Sequence, residues 1–154
     1  MNNNIQKAVI SDLLDILELQ KIAFRPIANL LGDNEIQPMV HTYDELLQEF
    51  NGGIILKYVQ DCQIVGSVRA YVDDDNVCHI GKLIVHPAYQ SKGIGKALMV
   101  EIEKKFITCS KYHLFTGEIT PNTLYLYTKL GYKEIARTCD RACMIIMEKL
   151  NRDE

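Results

Sequence analysis

Apolar and polar residues follow two different periods along this chain, and the changes of period divide it into helices and strands. Over residues 13–24, apolar side chains recur every three to four positions, which predicts an amphipathic helix. Ser11 is its expected N-cap, and Pro26 is expected to disturb it. A second helix is predicted after Thr42, because Glu45 stands three residues later and completes the spacing of a capping box.

Short apolar and β-branched runs predict strands in the middle of the chain. After a first strand at 6–10, three runs follow at 54–59, 64–72 and 77–85, with only short turns between them. Consecutive strands joined by short turns predict an antiparallel meander. A further strand at 112–116 follows the third run through a helix, so these two strands are expected to lie parallel and adjacent.

A last helix and a hairpin complete the pattern. Thr120-Pro121 predicts a helix start and Gly131 its end. The segments 132–138 and 143–150 predict a closing hairpin around Asp140-Arg141. The whole order predicts an α+β, three-layer fold: a mixed, mostly antiparallel sheet of six to seven strands flanked by about four helices. Residues 1–154 are expected to form a single domain.

Composition and charge narrow the class of protein. The hydrophobic fraction of 47% and the charged fraction of 24% are those of an ordinary globular protein. A net charge of −3 argues against a nucleic-acid partner. No apolar run approaches the roughly 20 residues that span a bilayer, and the polar N-terminus lacks the apolar core of a signal peptide. We therefore expect a cytoplasmic protein with neither a nucleic-acid nor a membrane partner.

The cysteines favour the same compartment. Their odd number, their scatter and the lack of a C-x-x-C pair predict reduced thiols and no metal site. They are Cys62, Cys78, Cys109, Cys139 and Cys143.

The stretch that carries candidate chemistry joins a buried strand to a helix. The strand ends with Leu83, Ile84 and Val85, and Pro87 stops it. Free backbone N–H groups at a helix start attract anions, and glycines let a phosphate approach the backbone closely. The junction is therefore a candidate pyrophosphate cradle, although it matches neither GxxxxGK[ST] nor GxGxxG. It reads Gln90-Ser91-Lys92-Gly93-Ile94-Gly95-Lys96.

Two motifs resemble those of a known family. A strand ending L-x-V-x-P, then Q-x-x-G-x-G, then an amphipathic helix resembles the acetyl-CoA signature of the GNAT superfamily of N-acetyltransferases; Gln90, Gly93 and Gly95 supply the matched positions. The stretch from Leu126 through Tyr127 to Gly131-Tyr132 resembles the L-Y-x-x-x-G-F/Y of the family's fourth helix. The predicted order of elements also resembles the family's order.

The resemblance implies a role for most of these residues. Backbone N–H groups from Ser91 to Lys96 would bind the pyrophosphate of acetyl-CoA, and the strand at 83–85 would pair with its pantetheine arm. The Val85 region would also polarise the thioester carbonyl. Tyr127 would be the general acid; the alternative is a packed core tyrosine. Asn122 resembles a cofactor-contacting asparagine, with helix capping or plain exposure as alternatives.

The general base stays open at this stage. Many family members carry an acid just before the L-x-V, where this chain has Gly81 and Lys82. The candidates are His79, Glu118 or an ordered water chain. Histidine is the side chain whose ordinary pKa lies nearest neutrality, but His79 could equally be a packed strand residue. Glu118 could equally be a loop charge.

The resemblance implies an enzyme that moves an acetyl group from acetyl-CoA to a primary amine, by direct attack through a tetrahedral intermediate and without a metal. The alternative is a catalytically inactive acyl-CoA-binding sensor or interaction module with the same fold. The acceptor would be gripped by residues 25–41 and by the later hairpin. Whether it is a small amine, a peptide N-terminus or a protein lysine stays open, as does a homodimer.

Overall fold

One seven-stranded sheet organises the part of the chain that the computed structural model describes, residues 4–118, 121–140 and 142–151. Its order is β1-β2-β3-β4-β5-β7-β6. Only β4 and β5 pair in parallel among the described ladders, so the predicted mixed, mostly antiparallel sheet of an α+β fold is confirmed. The strands are β1 (Ile5–Lys7), β2 (Ile54–Gln60), β3 (Gln63–Val72), β4 (Val77–Val85), β5 (Lys111–Gly117), β6 (Lys133–Cys139) and β7 (Cys143–Leu150).

Helices cover both faces of this sheet, which gives the predicted three layers. Neighbouring residues of β2 show the division, because successive side chains of a strand point to opposite faces. Ile55 packs with α1 and α3, whereas Leu56 packs with α4. No described helix combines the length and the apolar character that crossing a bilayer requires. The helices are α1 (Leu13–Leu31), the single turn α2 (Gln37–Val40), α3 (Tyr43–Gly52), α4 (Ile94–Lys105) and α5 (Pro121–Lys129).

The first helix departs from its predicted boundaries. The first strand ends at Lys7, and a 3-10 turn covers Ile10–Asp12. Ser11 is not the cap: the carboxylate of Asp12 accepts a hydrogen bond from the Val9 N–H at 2.8 Å, which fixes the entry into the helix. Nor does Pro26 end it, since α1 continues to Leu31 and closes at Gly32. Packing of α1 against α2 and the sheet outweighs the local cost of the proline.

Other predicted boundaries hold closely. Thr42 and Glu45 form the predicted capping box, with reciprocal hydrogen bonds of 3.2 and 2.9 Å. β4 and β7 span the predicted residues, and β5 lies parallel to β4. Gly131 has φ +100° just past α5, as a helix stop requires. The predicted cap at Thr120 and the turn residue Arg141 lie outside the described residues.

The prediction of five reduced thiols is wrong for one pair. Cys139 and Cys143 form a disulfide across the β6–β7 hairpin. The hairpin register places these residues directly opposite each other, with Cα atoms 4.0 Å apart. Cys62, Cys78 and Cys109 are free. The cytoplasmic compartment, the single domain over 1–154 and the homodimer stay predictions.

Candidate active site

The parallel strands β4 and β5 diverge halfway along their length. They pair at Val77 with Lys111, at Cys78 with Tyr112 and at His79 with His113, and their described ladder ends there. β4 then continues to Val85 and β5 to Gly117. We call the space between residues 80–85 and 114–117 the gap. A ligand with its own amide groups could add to this strand edge as an extra strand does.

A β-bulge in β4 accounts for this divergence. Arg69 of β3 pairs with Gly81, and Ser67 pairs with Ile84, so β4 carries one more residue than β3 between these two pairs. Lys82 within the bulge has φ +51°, in the left-handed region. A bulge bends its strand and redirects the side chains beside it. The bulge was not predicted, because residues 77–85 have the pattern of an unbroken strand.

The glycine loop lies at the end of β4 and leads into α4. Ser91 and Gly93 have φ +63° and +81°, and Gly93 is the N-cap of the helix that begins at Ile94. A Cβ on Gly93 would meet no atom within 4 Å, so open space lies in front of this turn. The first N–H groups of α4 lack intrahelical acceptors, and Lys92 and Lys96 add charge at the same end. These features suit a phosphate group.

The second glycine of the motif faces a different space. A Cβ on Gly95 would lie 3.5 Å from Leu126 of α5 and 3.7 Å from Leu83 of β4. Gly95 therefore lies between β4 and α5, where a side chain would contact both elements. Ile94 is only 3% exposed and anchors the helix start, where a Cβ on Gly66 of β3 would come within 3.0 Å of its side chain. No role was predicted for Gly66, although a glycine inside a predicted strand often marks a place where another element packs closely.

The Gln90 side chain holds the glycine loop against the end of β4. Its amide nitrogen donates to the Val85 carbonyl at 3.1 Å, which ties the loop to the end of β4. The ammonium group of Lys92 lies 5.7 Å from the centroid of the Tyr89 ring. Among the predicted cofactor residues, Gln90 thus shows a positioning contact, whereas Ser91, Lys92 and Lys96 stay exposed.

Helix α5 lies beside the gap and carries the predicted acid. The hydroxyl oxygens of Thr123 and Thr116 are 2.8 Å apart, which attaches α5 to the end of β5. Tyr127 is 6% exposed, and its hydroxyl makes no hydrogen bond to the described residues. Burial raises the pKa of this hydroxyl well above its ordinary value. Asn122 is exposed near the start of the helix, and Tyr125 is 66% exposed.

The two predicted bases lie at opposite ends of the diverging strands. His79 sits where β4 and β5 still pair, and its Nε2 lies 2.7 Å from the Asp73 carboxylate. Glu118 follows β5 at the open end of the gap, with its carboxylate 3.4 Å from Arg137 and 48% exposed. Asp73 also accepts from the Val77 N–H, so it holds the turn before β4.

A polar network beside the bulge was not predicted; its members are buried except for Glu49, whose side chain is 41% exposed. The Glu49 carboxylate lies 2.8 Å from Nε of Arg69 and 2.6 Å from Nε2 of His41. Gln20 accepts from Nη2 of Arg69 at 2.6 Å, and its amide nitrogen lies 3.0 Å from Nδ1 of His41. Burial lowers the pKa of His41, which favours the neutral ring beside the Glu49 carboxylate. No sequence signal joins residues so far apart in the chain.

Charge at the bulge comes mainly from Arg69 and Lys82. Arg69 is 5% exposed, and its Nη1 atom has no hydrogen-bond partner in the described ranges. Burial and the neighbouring Arg69 guanidinium lower the pKa of Lys82 to about 8. No cluster of three or more potential metal ligands occurs in the part of the chain that the structure describes.

Comparisons with known proteins agree with this architecture. An acetyltransferase of Pectobacterium atrosepticum is 37% identical over 78 residues, which make up 47% of this chain and 52% of that protein. The match thus spans about half the length of this curated relative. The PaiA N-acetyltransferase from Thermoplasma acidophilum, solved with coenzyme A, shares the fold with a TM-score of 0.82 and 23% identity, over 97% of this chain and 99% of that chain.

A second solved structure has the same fold. The phosphinothricin acetyltransferase from Sinorhizobium meliloti, in complex with acetyl-CoA, gives a TM-score of 0.76 at 17% identity, over 97% of this chain and 89% of that chain. The model of the acetyltransferase (GNAT) family matches residues 13–132, from the start of α1 to the end of the second sequence motif. Because this match covers well over half of the chain, the protein belongs to the acetyltransferase (GNAT) family.

Proposed function

We propose that this protein transfers an acetyl group from acetyl-CoA to a primary amine. The observation that carries the proposal is that the glycine loop, Gly95 between β4 and α5, and the gap between β4 and β5 follow one another along the same edge of β4. One extended thioester could place its phosphates on the loop and its acyl group beside the bulge. Membership of the family and the coenzyme A-bound solved relatives support this assignment.

The proposed cofactor contacts divide between backbone and side chains. The N–H groups from Ser91 to Lys96 would hold the pyrophosphate, since the first N–H groups of α4 lack intrahelical acceptors. Residues 83–85 would present the strand edge to the pantetheine amides. Lys92 and Lys96 would add attraction without fixed geometry, because both are exposed. The Asn122 amide would be an accessory contact from α5.

The proposed chemistry needs an oxyanion donor, a base and an acid. Acetyl-CoA supplies an activated acyl group, whose carbonyl carbon first bonds to the amine nitrogen to give a tetrahedral intermediate, after which its bond to sulfur breaks. A backbone N–H near Val85 would stabilise the oxygen as it gains negative charge. Tyr127 would give its proton to the departing sulfur, and the amine proton would pass to a base.

Glu118 is the better placed of the two predicted bases. It stands at the open end of the gap, whereas His79 lies at the paired end and is held by Asp73. Loss of a general base costs about 10²–10⁴-fold in rate. Glu118→Gln should therefore lower kcat strongly and His79→Gln only weakly; the reverse order would assign the base to His79.

A thiol-release screen tests the proposed activity. The protein would be incubated with acetyl-CoA and a panel of polyamines, aminoglycosides, amino acids and peptides, and free coenzyme A thiol would be followed over the no-acceptor rate. We expect release with at least one class, and loss of release in Gly95→Asp. Confirmed acetyl-CoA binding without release across the panel would favour the inactive sensor instead.

A further inference from the structure

The bulge in β4 leaves an open space on the face of the sheet that carries α1 and α3. Arg69 and Gly81 are directly opposed in the β3–β4 ladder, so their side-chain positions share this face. A Cβ on Gly81 would meet no atom within 4 Å. The space therefore lies beside Arg69 and next to Lys82, at the point where β4 turns away from β5.

The side chains around this space carry a surplus of positive charge. Arg69 and Lys82 are two cations, and the Glu49 carboxylate is one anion that already contacts both Arg69 and His41. Burial lowers the pKa of His41, which favours its neutral form. Gln20 contributes hydrogen bonds but no charge. One positive charge in this half-buried site thus has no counter-charge within the network.

Two nitrogen groups in this site lack acceptors. Nη1 of Arg69 is buried without a hydrogen-bond partner among the described residues. Lys82 makes no ion pair in the described ranges, although Lys57, Lys111 and Lys149 all do. Buried donors normally have partners, and an unpartnered buried charge is costly. A site with open space, surplus positive charge and unused donors suits an anionic group.

We propose that Lys82, backed by Arg69, binds a carboxylate carried by the acceptor amine, so that the preferred acceptors are amino acids or similar amino-carboxylates. This inference rests on the proposed function, because it names the acceptor class for the same gap. The amine would lie at the open end of β4, near the acyl position, and the carboxylate would lie over Gly81. A polyamine would instead bring a second positive charge towards Lys82 and would be disfavoured.

The phosphates of acetyl-CoA are the competing anion. They are assigned here to the glycine loop, which follows β4, whereas the bulge lies within the strand. An experiment can separate the two anions. If Lys82 binds the acceptor carboxylate, the affinity for acetyl-CoA should not depend on Lys82; if it binds the cofactor phosphates, that affinity should depend on Lys82.

Matched acceptor pairs test the proposal. Acetylation kinetics would be measured for a set of amino acids and their α-carboxamides, with wild type, Lys82→Met, Lys82→Arg and the control Lys104→Met at an exposed position of α4. Wild type should prefer each carboxylate over its amide. Lys82→Met should lower kcat/KM for carboxylates by about 10–100-fold, the range of a hydrogen bond to a charged group, and change that for amides little.

The other variants separate charge from shape. Lys82→Arg should retain the carboxylate preference, and Lys104→Met should match wild type. Equal kcat/KM for acids and amides in wild type, or an unchanged preference in Lys82→Met, would overturn the proposal. So would weaker acetyl-CoA binding by Lys82→Met, since this would assign the site to the cofactor.

A second measurement tests the carboxylate site without turnover. Absence of turnover with every acceptor would contradict the proposed function, but binding of a carboxylate at Lys82 could still be measured. The NMR signal of the Lys82 ammonium nitrogen would be followed as a function of pH in the coenzyme A complex. Either N-acetylglycine or its uncharged amide, N-acetylglycinamide, would be added. The acid should raise the titration midpoint of Lys82 and the amide should not. Equal midpoints with both probes would overturn the carboxylate site.

Discussion

Replacement of Tyr127 by phenylalanine separates a chemical role from a packing role. The substitution removes one hydroxyl and keeps a ring that is 6% exposed, with its centroid 5.9 Å from that of Tyr132. Since the hydroxyl has no partner among the described residues, no internal hydrogen bond is lost. The free energy of unfolding should therefore change by less than about 1 kcal/mol.

The rate should respond far more strongly. Loss of a general acid typically lowers a rate by about 10²–10⁴-fold, or about 3–5 kcal/mol of activation free energy. Steady-state kinetics with acetyl-CoA and an active acceptor would measure kcat, calorimetry the acetyl-CoA affinity, and urea unfolding the stability. We expect kcat of Tyr127→Phe to fall at least about 100-fold, with affinity and stability nearly unchanged.

Two tyrosines provide matched controls. Tyr125→Phe, at a position 66% exposed, should be neutral in every measurement. Tyr132→Phe loses a 2.9 Å hydrogen bond to Glu103, so it should lower stability by about 1 kcal/mol and leave the chemical step intact. Retention of wild-type kcat by Tyr127→Phe would remove Tyr127 from the mechanism. A rate loss that only follows a loss of stability would assign it to packing.

Three further predictions concern the loop and the bulge. Gly95→Asp should weaken acetyl-CoA binding by about 10-fold or more while the protein stays folded, because a Cβ there has contacts no closer than 3.5 Å and the added charge repels phosphate. Glu49→Ala should lower the free energy of unfolding by about 1–3 kcal/mol, since it removes the carboxylate beside the buried Arg69 guanidinium, although solvent screens the 41% exposed Glu49 side chain. Lys82→Met should be more stable than wild type below pH 8. The difference should narrow from pH 8 to about 10, because the folded-state pKa of about 8 lies below the ordinary lysine value and the unfolded chain binds that proton more tightly in this window.

Calorimetry checks the first of these, and urea unfolding checks the others. Undiminished acetyl-CoA affinity in folded Gly95→Asp would mean that the cofactor does not pass between β4 and α5. A loss below about 1 kcal/mol in Glu49→Ala would show that the Arg69 charge is compensated by other means. A stability difference for Lys82→Met that is constant with pH would contradict the lowered pKa of Lys82, and Lys104→Met supplies the comparison for an exposed lysine.

The sequence predicts most elements of the fold because their signals are local. The apolar run at 77–85 defines β4 to the residue, and Thr42 with Glu45 marks the start of α3 through a contact three residues apart. The glycine loop is equally local, because the strand, the turn and the helix start are consecutive. Its placement at the N-terminus of α4 follows directly from its sequence motif.

The features that were missed depend on contacts between distant segments. Arg69, Gln20 and His41 come from three separate elements, and only the packed structure joins them. The bulge is a mismatch between two strands, so neither strand shows it alone. Pro26 stays inside α1 because helix packing outweighs its local effect. The disulfide, by contrast, could have been predicted from the sequence, because Cys139 and Cys143 flank the turn of the predicted hairpin.

Isotope tracing of the acetyl group tests whether this protein transfers acetyl from acetyl-CoA to an amine. The protein would be incubated with acetyl-CoA labelled with ¹³C in both acetyl carbons and with a mixture of amino acids, polyamines and peptides, and products would be identified by mass spectrometry. Wild type should form a labelled N-acetyl product, and its amount should fall strongly with Tyr127→Phe. No labelled product from wild type that binds acetyl-CoA, across every acceptor class, would contradict the proposed acetyl transfer.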